Sequence, residues 1–366
     1  MRIAIEATLL CQSARTGLGV YLDRLLKALA SVAPVDMEFV LLYAGKQWTG
    51  GDYGSRFRTV SYHCTRSQFL SIITRLNAVL RREKIDVFHA PANTGLPPRT
   101  TVPAVVTVHD LFPLTRPAGN LKSRFLAKIL YAWALKGARR IICNSRYTQA
   151  QVVERGADAA RTTVIYPGAE RDFSAFPAGE PPFAGRKYFL CVGALEARKG
   201  QVMLARAYAA ANVARRDLPD LLFVGPDRGD GEKLRVLAAR TPQIRWPGYV
   251  SEHELANYYR YAAALVFPSF DEGFGIPVIE ALGANIPVWA ADIPVLREIA
   301  AGRAHFIPPA EDAWRDAFLD WENAVAAARN SAGRNSTIPP PDFSWQTAAR
   351  ETAAVYTECY KQCSFA

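Results

Sequence analysis

The sequence lacks any apolar run approaching the roughly 20 residues that a helix needs to cross a bilayer. Its first residues, MRIAIEATLL, do not have the pattern of a signal peptide and are typical of a buried first strand. The six cysteines are scattered along the chain, and no Cys-x-x-Cys pair occurs among them. Scattered thiols without a disulfide framework are typical of a reducing compartment, so we expect free thiols and a cytoplasmic location.

Metal-binding and dinucleotide-binding signatures are also missing. The sequence has no Asp-x-Asp motif and no histidines and cysteines at metal-ligand spacing, which argues against zinc enzymes and metal-dependent nucleases. Gly17 and Gly19 precede a helical pattern, but the third glycine and the preceding strand of a dinucleotide fingerprint are lacking. We therefore expect neither a metal site nor hydride transfer. The two glycines can still let the backbone approach a phosphate or a sugar closely.

Acidic residues are scarce in the first half of the chain only. Residues 1–175 contain 24 Lys and Arg against 12 Asp and Glu, whereas residues 176–366 contain 20 against 22. The net charge of +10 therefore comes from the first half. A basic half implies an anionic partner, such as phospholipid head groups, nucleic acid or a lipid pyrophosphate. Because no recognisable nucleic-acid-binding module accompanies the charge, we expect no nucleic acid partner.

The sequence is rich in alternating apolar strands and amphipathic helices. Strands such as Ile3–Ile5 and Ala104–Val108 alternate with helical patterns in the first half, and Tyr188–Val192 and Ala264–Phe267 continue the alternation in the second. Such series form parallel sheets. The predicted fold class is therefore α/β, with two Rossmann-like doubly wound domains and a ligand cleft between them.

Two breaks rich in proline, glycine or polar residues divide the chain. One lies at residues 170–185 and the other at 331–341, where three prolines are consecutive. We therefore predict an N-terminal domain over residues 1–172 and a C-terminal domain over residues 183–340. One more amphipathic helix, Trp345–Lys361, follows the second break.

The most informative segment is Pro268–Leu282, which reads PSFDEGFGIPVIEAL and carries Glu272 and Glu280 eight positions apart. An apolar run precedes it and predicts a buried strand, while Pro277 suits the start of a helix. The glycines between them allow a tight turn that points backbone N–H groups at an anion above the helix N-terminus. The two carboxylates can then hold hydroxyl groups on either side of that anion. The alternative is two unrelated surface acids.

A second loop, Val192–Gly200, also follows a predicted strand and precedes a predicted helix. It contains Gly193 and two adjacent cations, Arg198 and Lys199. Adjacent cations after a strand can grip a diphosphate and neutralise the charge that develops on a departing nucleotide. The alternative is a solvated pair of surface cations.

A histidine and an aspartate, His109 and Asp110, follow the strand Ala104–Val108. A neutral imidazole there can accept a hydrogen bond from a sugar hydroxyl and shield a reacting carbon. Asp110 could orient His109 or contact an acceptor. A lone histidine at a strand end is more often structural, so both interpretations stay open from the residues alone.

The predicted helix over residues 121–140 combines an apolar face with many cations. Its apolar residues share one helical face and are Leu121, Phe125, Leu126, Ile129, Leu130 and Trp133. Its cations are Lys122, Arg124, Lys128, Lys136, Arg139 and Arg140. This pattern fits a helix lying on an anionic membrane surface, and it equally fits an apolar face packed on the protein core.

The segment with Glu272 and Glu280 resembles the E-x7-E signature of the family 4 retaining glycosyltransferases. The resemblance covers almost the whole chain and is most specific over residues 264–298 and then over 190–200. One departure is Ala194, where many family members have an arginine. The resemblance implies a GT-B fold, in which the C-terminal domain binds a nucleotide sugar and the N-terminal domain binds an acceptor. It also implies that the last helix, residues 344–366, crosses back onto the N-terminal domain.

The resemblance further implies a site for each partner in the reaction. The donor-binding residues that it implies are Gly17, Gly19, Gly193, Arg198, Lys199, Tyr249, Val250, Glu272, Gly273, Phe274, Gly275, Ile276 and Glu280. The residues that it implies for catalysis are His109, Asp110, Arg198, Lys199 and Glu272. The implied reaction is metal-independent, with front-face attack by an acceptor hydroxyl and retention at the anomeric carbon.

The form of the Val192–Gly200 loop resembles that of bacterial mannosyltransferases of polysaccharide and O-antigen assembly. This resemblance favours GDP-mannose as the donor, a substrate rather than a cofactor, and a lipid-linked or oligosaccharide acceptor. The basic first half favours peripheral contact with an anionic membrane, at the inner face of the plasma membrane. The alternatives are a UDP-sugar donor, a nucleotide-sugar epimerase and a non-catalytic sugar-nucleotide-binding protein.

Overall fold

The structure, a computed structural model, describes residues 1–366 apart from 13–16, 63–70, 73, 98, 116–120, 170–174, 334–341 and 365–366. Parts of both predicted breaks lie outside the described residues. The chain divides into two compact units. The first comprises Met1–Gly168 and Asp342–Ala366, and the second comprises Ala169–Pro341.

The first unit contains a seven-stranded parallel sheet with the order β3-β2-β1-β4-β5-β6-β7. The strands are β1 Arg2–Glu6, β2 Glu38–Tyr43, β3 Phe57–Ser61, β4 Val87–Ala90, β5 Ala104–Val108, β6 Arg140–Cys143 and β7 Thr162–Val164. The helices are α1 Gly17–Val32, α2 Leu76–Arg82, α3 Phe112–Thr115, α4 Leu121–Gly137 and α5 Arg146–Glu154, with α13 Trp345–Ser364 added from the second stretch.

The second unit contains a six-stranded parallel sheet with the order β10-β9-β8-β11-β12-β13. The strands are β8 Tyr188–Val192, β9 Asp220–Val224, β10 Ile244–Gly248, β11 Ala264–Phe267, β12 Val288–Ala291 and β13 His305–Ile307. The helices are α6 Gln201–Ala214, α7 Gly231–Arg240, α8 Glu252–Tyr261, α9 Ile276–Gly283, α10 Pro294–Ala300, α11 Glu311–Leu319 and α12 Trp321–Gly333.

In both sheets the chain first winds outward in one direction and then returns to the middle to wind the other way. The reversal falls between β1 and β4 in the first sheet and between β8 and β11 in the second. Ligands of open α/β sheets bind at the carboxyl ends of the strands beside such a reversal. The predicted fold class, α/β with two Rossmann-like doubly wound domains, is confirmed.

Among the described elements, two strands and three helices were not predicted from the sequence, and one of these helices, α3, is only four residues long. The strands, β3 and β7, are the two edges of the first sheet. An edge strand has only one neighbour and β3 is largely exposed, so neither needs the continuous apolar run that identifies a central strand. The helices α11 and α12 follow the last strand, where no further motif marked the sequence. The described part of the helix predicted over 69–82 gives α2, which begins at Leu76.

The core of the first unit is made by both stretches of chain that compose it. Apolar residues of β1, including Ile3 and Ile5, share one buried cluster with Leu22 and Leu26 of α1 and with Tyr356 of α13. The α13 residues in this cluster are Trp345, Ala348, Ala349, Ala353, Val355, Tyr356 and Cys359. The last helix therefore completes this core rather than lying on its surface.

Candidate functional site

Glu272 follows β11 and forms ion pairs with both cations of the loop after β8. Lys199 Nζ lies 2.7 Å from Glu272 Oε1, and Arg198 Nη1 lies 3.1 Å from Oε2. The buried Ser269 hydroxyl donates to Oε1 at 2.9 Å. Arg198 also pairs with Glu196, at 2.7 Å. Two cations and two carboxylates thus form one cluster, in which the Glu272 side chain is 9% exposed.

The two loops meet because β8 and β11 are neighbours in the sheet although the chain separates them. Phe270 N–H donates to the Arg198 carbonyl at 2.8 Å. Gly200 has φ +67°, and a Cβ added there would lie 2.5 Å from the Pro268 carbonyl oxygen. Only glycine therefore allows this approach. The cluster forms at the reversal point of the sheet, where a ligand is expected.

The charge state of Glu272 follows from its surroundings. Burial alone would raise the pKa of Glu272, but Lys199 and Arg198 outweigh burial and hold the pKa below its ordinary value. Glu272 is therefore ionised at neutral pH. A carboxylate offers about four acceptor positions, and Lys199, Ser269 and Arg198 use three of them. The fourth position, on Oε2, can accept a bond from a ligand hydroxyl.

Glu280 lies on α9, one turn after the glycine loop, as the sequence predicted. Its side chain is buried, and Oε2 accepts a hydrogen bond of 2.9 Å from the hydroxyl of Tyr259 on α8. Tyr259 was not identified from the sequence, because the α8 pattern shows only that this residue faces inward. The hydroxyl fixes the carboxylate against the body of the domain.

The loop before α9 is shaped by a glycine that no other residue can replace. Gly275 has φ +118°, and a Cβ added there would lie 2.9 Å from side-chain carbons of both Leu296 and Ile299. The predicted tight turn is thus present. Phe274 is buried at 5% exposure, so its ring packs inward and only its backbone can serve a ligand. Gly273 lies directly before Phe274, and Ile276 lies two residues after it.

A third loop, after β9, adjoins the cluster and was not identified from the sequence. Gly225 has φ +149°, and a Cβ there would lie 2.1 Å from the Gly193 carbonyl oxygen. Leu195 N–H donates to the Pro226 carbonyl at 2.9 Å. Asp227 accepts bonds from Gly229 N–H and Gly231 N–H, which lower its pKa despite some desolvation. The sequence feature that could have indicated this loop is the glycine-rich, acidic run directly after the buried strand DLLFV.

Tyr249 and Val250 connect β10 to α8. Tyr249 is 77% exposed, while the next residue but one, Ser251, forms a reciprocal capping box with Glu254 at the start of α8. The cap fixes the helix start and leaves the Tyr249 ring at the carboxyl edge of the sheet. This position is two strands from β8, because β9 lies between β8 and β10.

His109 belongs to the first unit and is nearly buried at the end of β5. Its Nε2 lies 2.8 Å from the Pro91 carbonyl oxygen, which can only accept, so Nε2 carries the proton. Burial lowers the pKa of His109 to about 4, although the bond to Pro91 partly opposes the shift. The ring is therefore neutral at pH 7, and Nδ1 is left as a hydrogen-bond acceptor. The ring packs edge-on against Tyr21, with centroids 4.5 Å apart.

Asn93 holds the chain at His109 and Asp110. Its Oδ1 accepts from His109 N–H at 2.6 Å, and its Nδ2 donates to Asp110 Oδ1 at 3.3 Å. Asn144 Nδ2 donates to the His109 carbonyl at 2.8 Å. The His109 ring is thus oriented by Pro91 and not by Asp110, and the interpretation that Asp110 orients the ring is wrong. Pairings this distant in sequence leave no local pattern to find.

Two predictions for the first unit change in the structure. Gly17 and Gly19 lie in the first turn of α1 and not in a loop before it, because the helix begins at Gly17. A Cβ at Gly17 would meet nothing within 4 Å, so no steric contact requires glycine there. Residues Arg15 and Thr16, which belong to the same motif, lie outside the described residues.

The helix α4 does not bury the predicted apolar face. Phe125 is 67% exposed and Leu126 is 42% exposed, while the buried positions are Tyr131, Ala134 and Leu135. The core-facing interpretation of the predicted face is therefore wrong for Phe125 and Leu126. The side chains of residues 121–124 lie outside the description.

In the described ranges of the chain, no three His, Cys, Asp or Glu side chains are grouped so that they could hold a metal ion. Among the helices described, none combines the length and the apolar character needed to cross a bilayer.

Comparison with known proteins gives two matches to protein families and several to individual proteins. Residues 15–173 match the family model described as Glycosyltransferase Family 4, and residues 172–336 match Glycosyl transferases group 1. O-antigen chain mannosyltransferase B from Escherichia coli is 28% identical over 76% of this chain and 75% of its own length. A D-inositol 3-phosphate glycosyltransferase from Streptomyces avermitilis is 31% identical, and the chain spans about half of it, 52%.

Solved structures share the fold over the whole chain. Sucrose-phosphate synthase from Thermosynechococcus elongatus has a TM-score of 0.72 at 20% identity and covers 99% of both chains. HepE from Anabaena, solved in complex with UDP-glucose, has a TM-score of 0.69 at 16% identity and covers 98% of this chain and 100% of its own. Because the two family matches adjoin and together span residues 15–336, the chain belongs to the glycosyltransferases, with a family 4 domain followed by a group 1 domain.

Proposed function

We propose that the protein transfers mannose from GDP-mannose, with retention at the anomeric carbon, to a lipid-linked or oligosaccharide acceptor in the assembly of a cell-surface polysaccharide. The observation that carries the proposal is the ion-paired cluster of Glu272, Arg198 and Lys199 at the reversal point of the second sheet. Such a cluster supplies two cations for a diphosphate and one carboxylate for sugar hydroxyls within a few ångströms of each other.

Binding of the donor exchanges partners within this cluster. Before the donor arrives, Glu272 and Glu196 compensate the charge of Arg198 and Lys199. A diphosphate brings its own negative charge and takes over part of the pairing, which leaves Glu272 to accept bonds from hydroxyls of the transferred sugar. As the bond to the sugar breaks, charge grows on the departing phosphate, and the same two cations stabilise it. The reaction requires no metal or cofactor beyond the donor.

Glu280 serves the other end of the donor. Its carboxylate is held by Tyr259 and can accept from the two ribose hydroxyls, while backbone N–H groups of Gly273–Ile276 meet the phosphate. Tyr249 and Val250, at the end of β10, are placed to meet the base. The exposed Tyr249 ring offers a surface on which a base can stack.

His109 acts beside the transferred sugar as a hydrogen-bond acceptor and not as a general acid. Its Nδ1 is the nitrogen without a proton, and the low pKa of the ring keeps it neutral across the physiological range. Without a protein nucleophile, the acceptor hydroxyl attacks the face from which the phosphate leaves, and a phosphate oxygen takes its proton. Positioning and charge stabilisation then account for the rate.

The choice of mannose rests on the relatives. O-antigen chain mannosyltransferase B, which the chain matches over three quarters of both lengths, transfers mannose by its name. The UDP-glucose complex of HepE favours the second candidate, a UDP-sugar-dependent transferase of the same class. The net charge of +12 in residues 1–175 and the exposed Phe125 and Leu126 support a lipid-linked acceptor and peripheral contact with an anionic membrane.

Nucleotide binding is tested first by thermal shift with GDP, UDP, ADP and their sugar conjugates. A ligand that binds the folded state raises Tm. At a ligand concentration of a hundred times Kd, the free energy of unfolding increases by about 2.7 kcal/mol. We expect a shift with GDP and GDP-mannose that is lost in Glu280→Ala and largely kept in Tyr259→Phe, which removes the same hydrogen bond but keeps the carboxylate. A shift with UDP-sugars alone would establish the second candidate. No shift with any nucleotide in the folded protein would contradict both.

Transfer itself is tested with GDP-mannose and isolated lipid-linked glycans in the presence of a chelator. We expect a mannosylated product whose one-bond C1–H1 coupling shows the anomeric configuration of the donor, at an unchanged rate when divalent ions are removed. Inversion of the configuration, or loss of activity on chelation that is restored by a divalent cation, would overturn the retaining, metal-independent reaction.

A further inference from the structure

A buried chain of polar contacts leads from the last helix to His109 inside the first unit. Tyr356 Oη on α13 lies 2.7 Å from His89 Nδ1, and His89 Nε2 lies 2.8 Å from Thr107 Oγ1. Thr107 in turn forms a side-chain hydrogen bond with Tyr21 of α1. The Tyr21 ring packs edge-on against the His109 imidazole, at 4.5 Å and 80°. Four elements, α13, β4, β5 and α1, therefore contribute to one line of contacts.

Every member of this chain is removed from water. His89 and Tyr356 are completely buried, Thr107 is 1% exposed, Tyr21 is 7% exposed and His109 is 8% exposed. Burial lowers the pKa of His89 to about 3 and raises that of Tyr21 to about 12, so both groups are neutral. The chain thus moves no charge, and its effect is geometric.

The directions of these three hydrogen bonds depend on one another through the tautomer of His89. A neutral imidazole donates through one nitrogen and accepts through the other, and a hydroxyl donates only one proton. If Tyr356 donates to His89 Nδ1, then Nε2–H donates to Thr107, and the Thr107 hydroxyl can donate to Tyr21 or accept a second bond from it. If His89 instead donates Nδ1–H to Tyr356, then Thr107 must donate to Nε2 and therefore accepts from Tyr21. Each group therefore constrains the next, and a change at Tyr356 reaches Tyr21.

We propose that Tyr356, His89 and Thr107 are positioning residues that set, through the Tyr21 ring, the orientation in which His109 presents Nδ1. The proposal rests on the proposed role of His109 beside the transferred sugar. It assigns the last helix a task in the reaction in addition to its place in the core. A network with a purely structural role would only need to satisfy the hydrogen bonds of its own members. This network instead ends at Tyr21, whose ring packs against His109.

The test removes single hydroxyls from the first and the middle members of the chain of contacts, in Tyr356→Phe and in Thr107→Val. The readout is the pair of imidazole nitrogen shifts of His109, which report tautomer and hydrogen bonding and are tractable because the protein has five histidines. We expect both variants to shift the His109 nitrogen signals and to lower kcat about tenfold while KM changes little, because misplacement acts on the reacting geometry.

The matched control is Tyr208→Phe in the second unit. Tyr208 is as buried as Tyr356, its hydroxyl donates to the Pro219 carbonyl at 2.7 Å, and neither residue takes part in this chain of contacts. We expect this variant to lose a similar amount of thermal stability and to keep both the His109 signals and kcat. Unchanged His109 signals in folded Tyr356→Phe and Thr107→Val would overturn the proposal.

The spectroscopic readout separates this proposal from the proposed function. If the wild-type protein transfers no sugar but Tyr356→Phe still shifts the His109 nitrogens, the coupling stands and the glycosyl-transfer assignment fails. If the wild-type protein is active and both variants keep kcat and the His109 signals, the positioning role fails and the function stands.

Discussion

At the scale of the residue, the most consequential group is a carboxylate that holds two cations. Glu272 pairs with Arg198 and Lys199 at 3.1 and 2.7 Å while its side chain is 9% exposed. Surface ion pairs contribute little to stability, but breaking a shielded one leaves uncompensated charge behind. Stability and the proposed donor binding therefore depend on the same side chain.

We predict that Glu272→Gln lowers the free energy of unfolding by about 2 kcal/mol at pH 7, since charge-assisted bonds to two cations are weakened. The pKa of Glu272 is lowered in the folded state. Its contribution is therefore present above the ordinary pKa of 4.5 and is lost as the pH falls through the folded value. Urea unfolding of both proteins from pH 7 down to about pH 3 should show that the difference in unfolding free energy narrows below pH 4.5.

The control for this prediction is Glu322→Gln, which removes an exposed acid paired with Arg215. The Glu322 side chain is 51% exposed, so we expect a change below about 1 kcal/mol. An equal loss in both variants, or a difference for Glu272→Gln that widens towards acid, would contradict the assigned charge state.

The second prediction concerns the charge state of the two buried histidines, His89 and His109. Their pKa values, about 3 and about 4, lie below the ordinary 6.5 because burial disfavours the charged ring. The unfolded chain therefore binds protons that the folded chain does not, and stability falls as the pH drops below 6.5. An NMR titration of the imidazoles should show no midpoint for either ring between pH 5 and 8. A midpoint near 6.5 for His109 would contradict its role as a neutral acceptor.

At the scale of the element, the loops of the site depend on glycines that allow backbones to meet. We predict that Gly200→Ala destabilises the protein by about 3 kcal/mol, from a positive φ and a Cβ within 2.5 Å of the Pro268 carbonyl. It should also weaken nucleotide binding, because it moves Arg198 relative to Glu272. Thermal unfolding and a GDP titration measure the two effects.

Gly302→Ala is the matched control for backbone conformation. Gly302 has φ +77°, close to the +67° of Gly200, but a Cβ there meets nothing within 4 Å. We expect a loss of about 1 kcal/mol from the left-handed conformation alone and unchanged nucleotide binding. Equal losses of stability in Gly200→Ala and Gly302→Ala would show that a Cβ at position 200 does not clash with the Pro268 carbonyl.

The central elements could be predicted from sequence because their residues follow a local rule. The runs at Ala104–Val108 and Ala264–Phe267 gave both strands with their observed bounds, since a strand buried on both faces needs a continuous apolar run. Asn285, which follows α9, has φ +56°, the left-handed conformation that asparagine tolerates after a helix. The edges β3 and β7 obey no such rule and were not predicted.

The site was predictable where motif and loop coincide, and not where partners come from distant segments. Glu272, Arg198 and Lys199 were named from loops after strands, but their mutual pairing depends on β8 and β11 being neighbours, which order in sequence does not reveal. Asn93 and Tyr259 carry no local signal, because each acts by reaching a residue at least 16 positions away. The direct roles of the predicted residues in binding and catalysis stay predictions.

At the scale of the whole molecule, the positive charge is concentrated in the half of the chain that contains the two exposed apolar residues of α4. Residues 1–175 carry a net charge of +12, and α4 exposes Phe125 and Leu126 beside the exposed Lys128. A surface that pairs apolar side chains with cations binds anionic head groups and loses that binding in salt.

We therefore predict that the protein sediments with vesicles containing anionic phospholipid and not with neutral vesicles. Phe125→Ser with Leu126→Ser should reduce the bound fraction about tenfold, because about 0.8 kcal/mol is lost for each buried CH₂ that leaves the membrane. The control, Val213→Ser, replaces a residue that is 72% exposed in the second unit, and it should bind as the wild type does. Equal binding to neutral vesicles, or equal loss in the control, would contradict membrane contact through α4.

The divided composition of the first unit has a consequence for protein synthesis. Its core requires α13, which the ribosome makes only after all of residues 169–341. At synthesis rates of about 5–20 residues per second, the apolar faces of β1 and α1 wait roughly 15–65 s for that helix. The second unit, whose residues are consecutive, can finish folding during this interval. The half that begins translation first is therefore the last to close, and until then its nascent chain presents the apolar surface that chaperones bind.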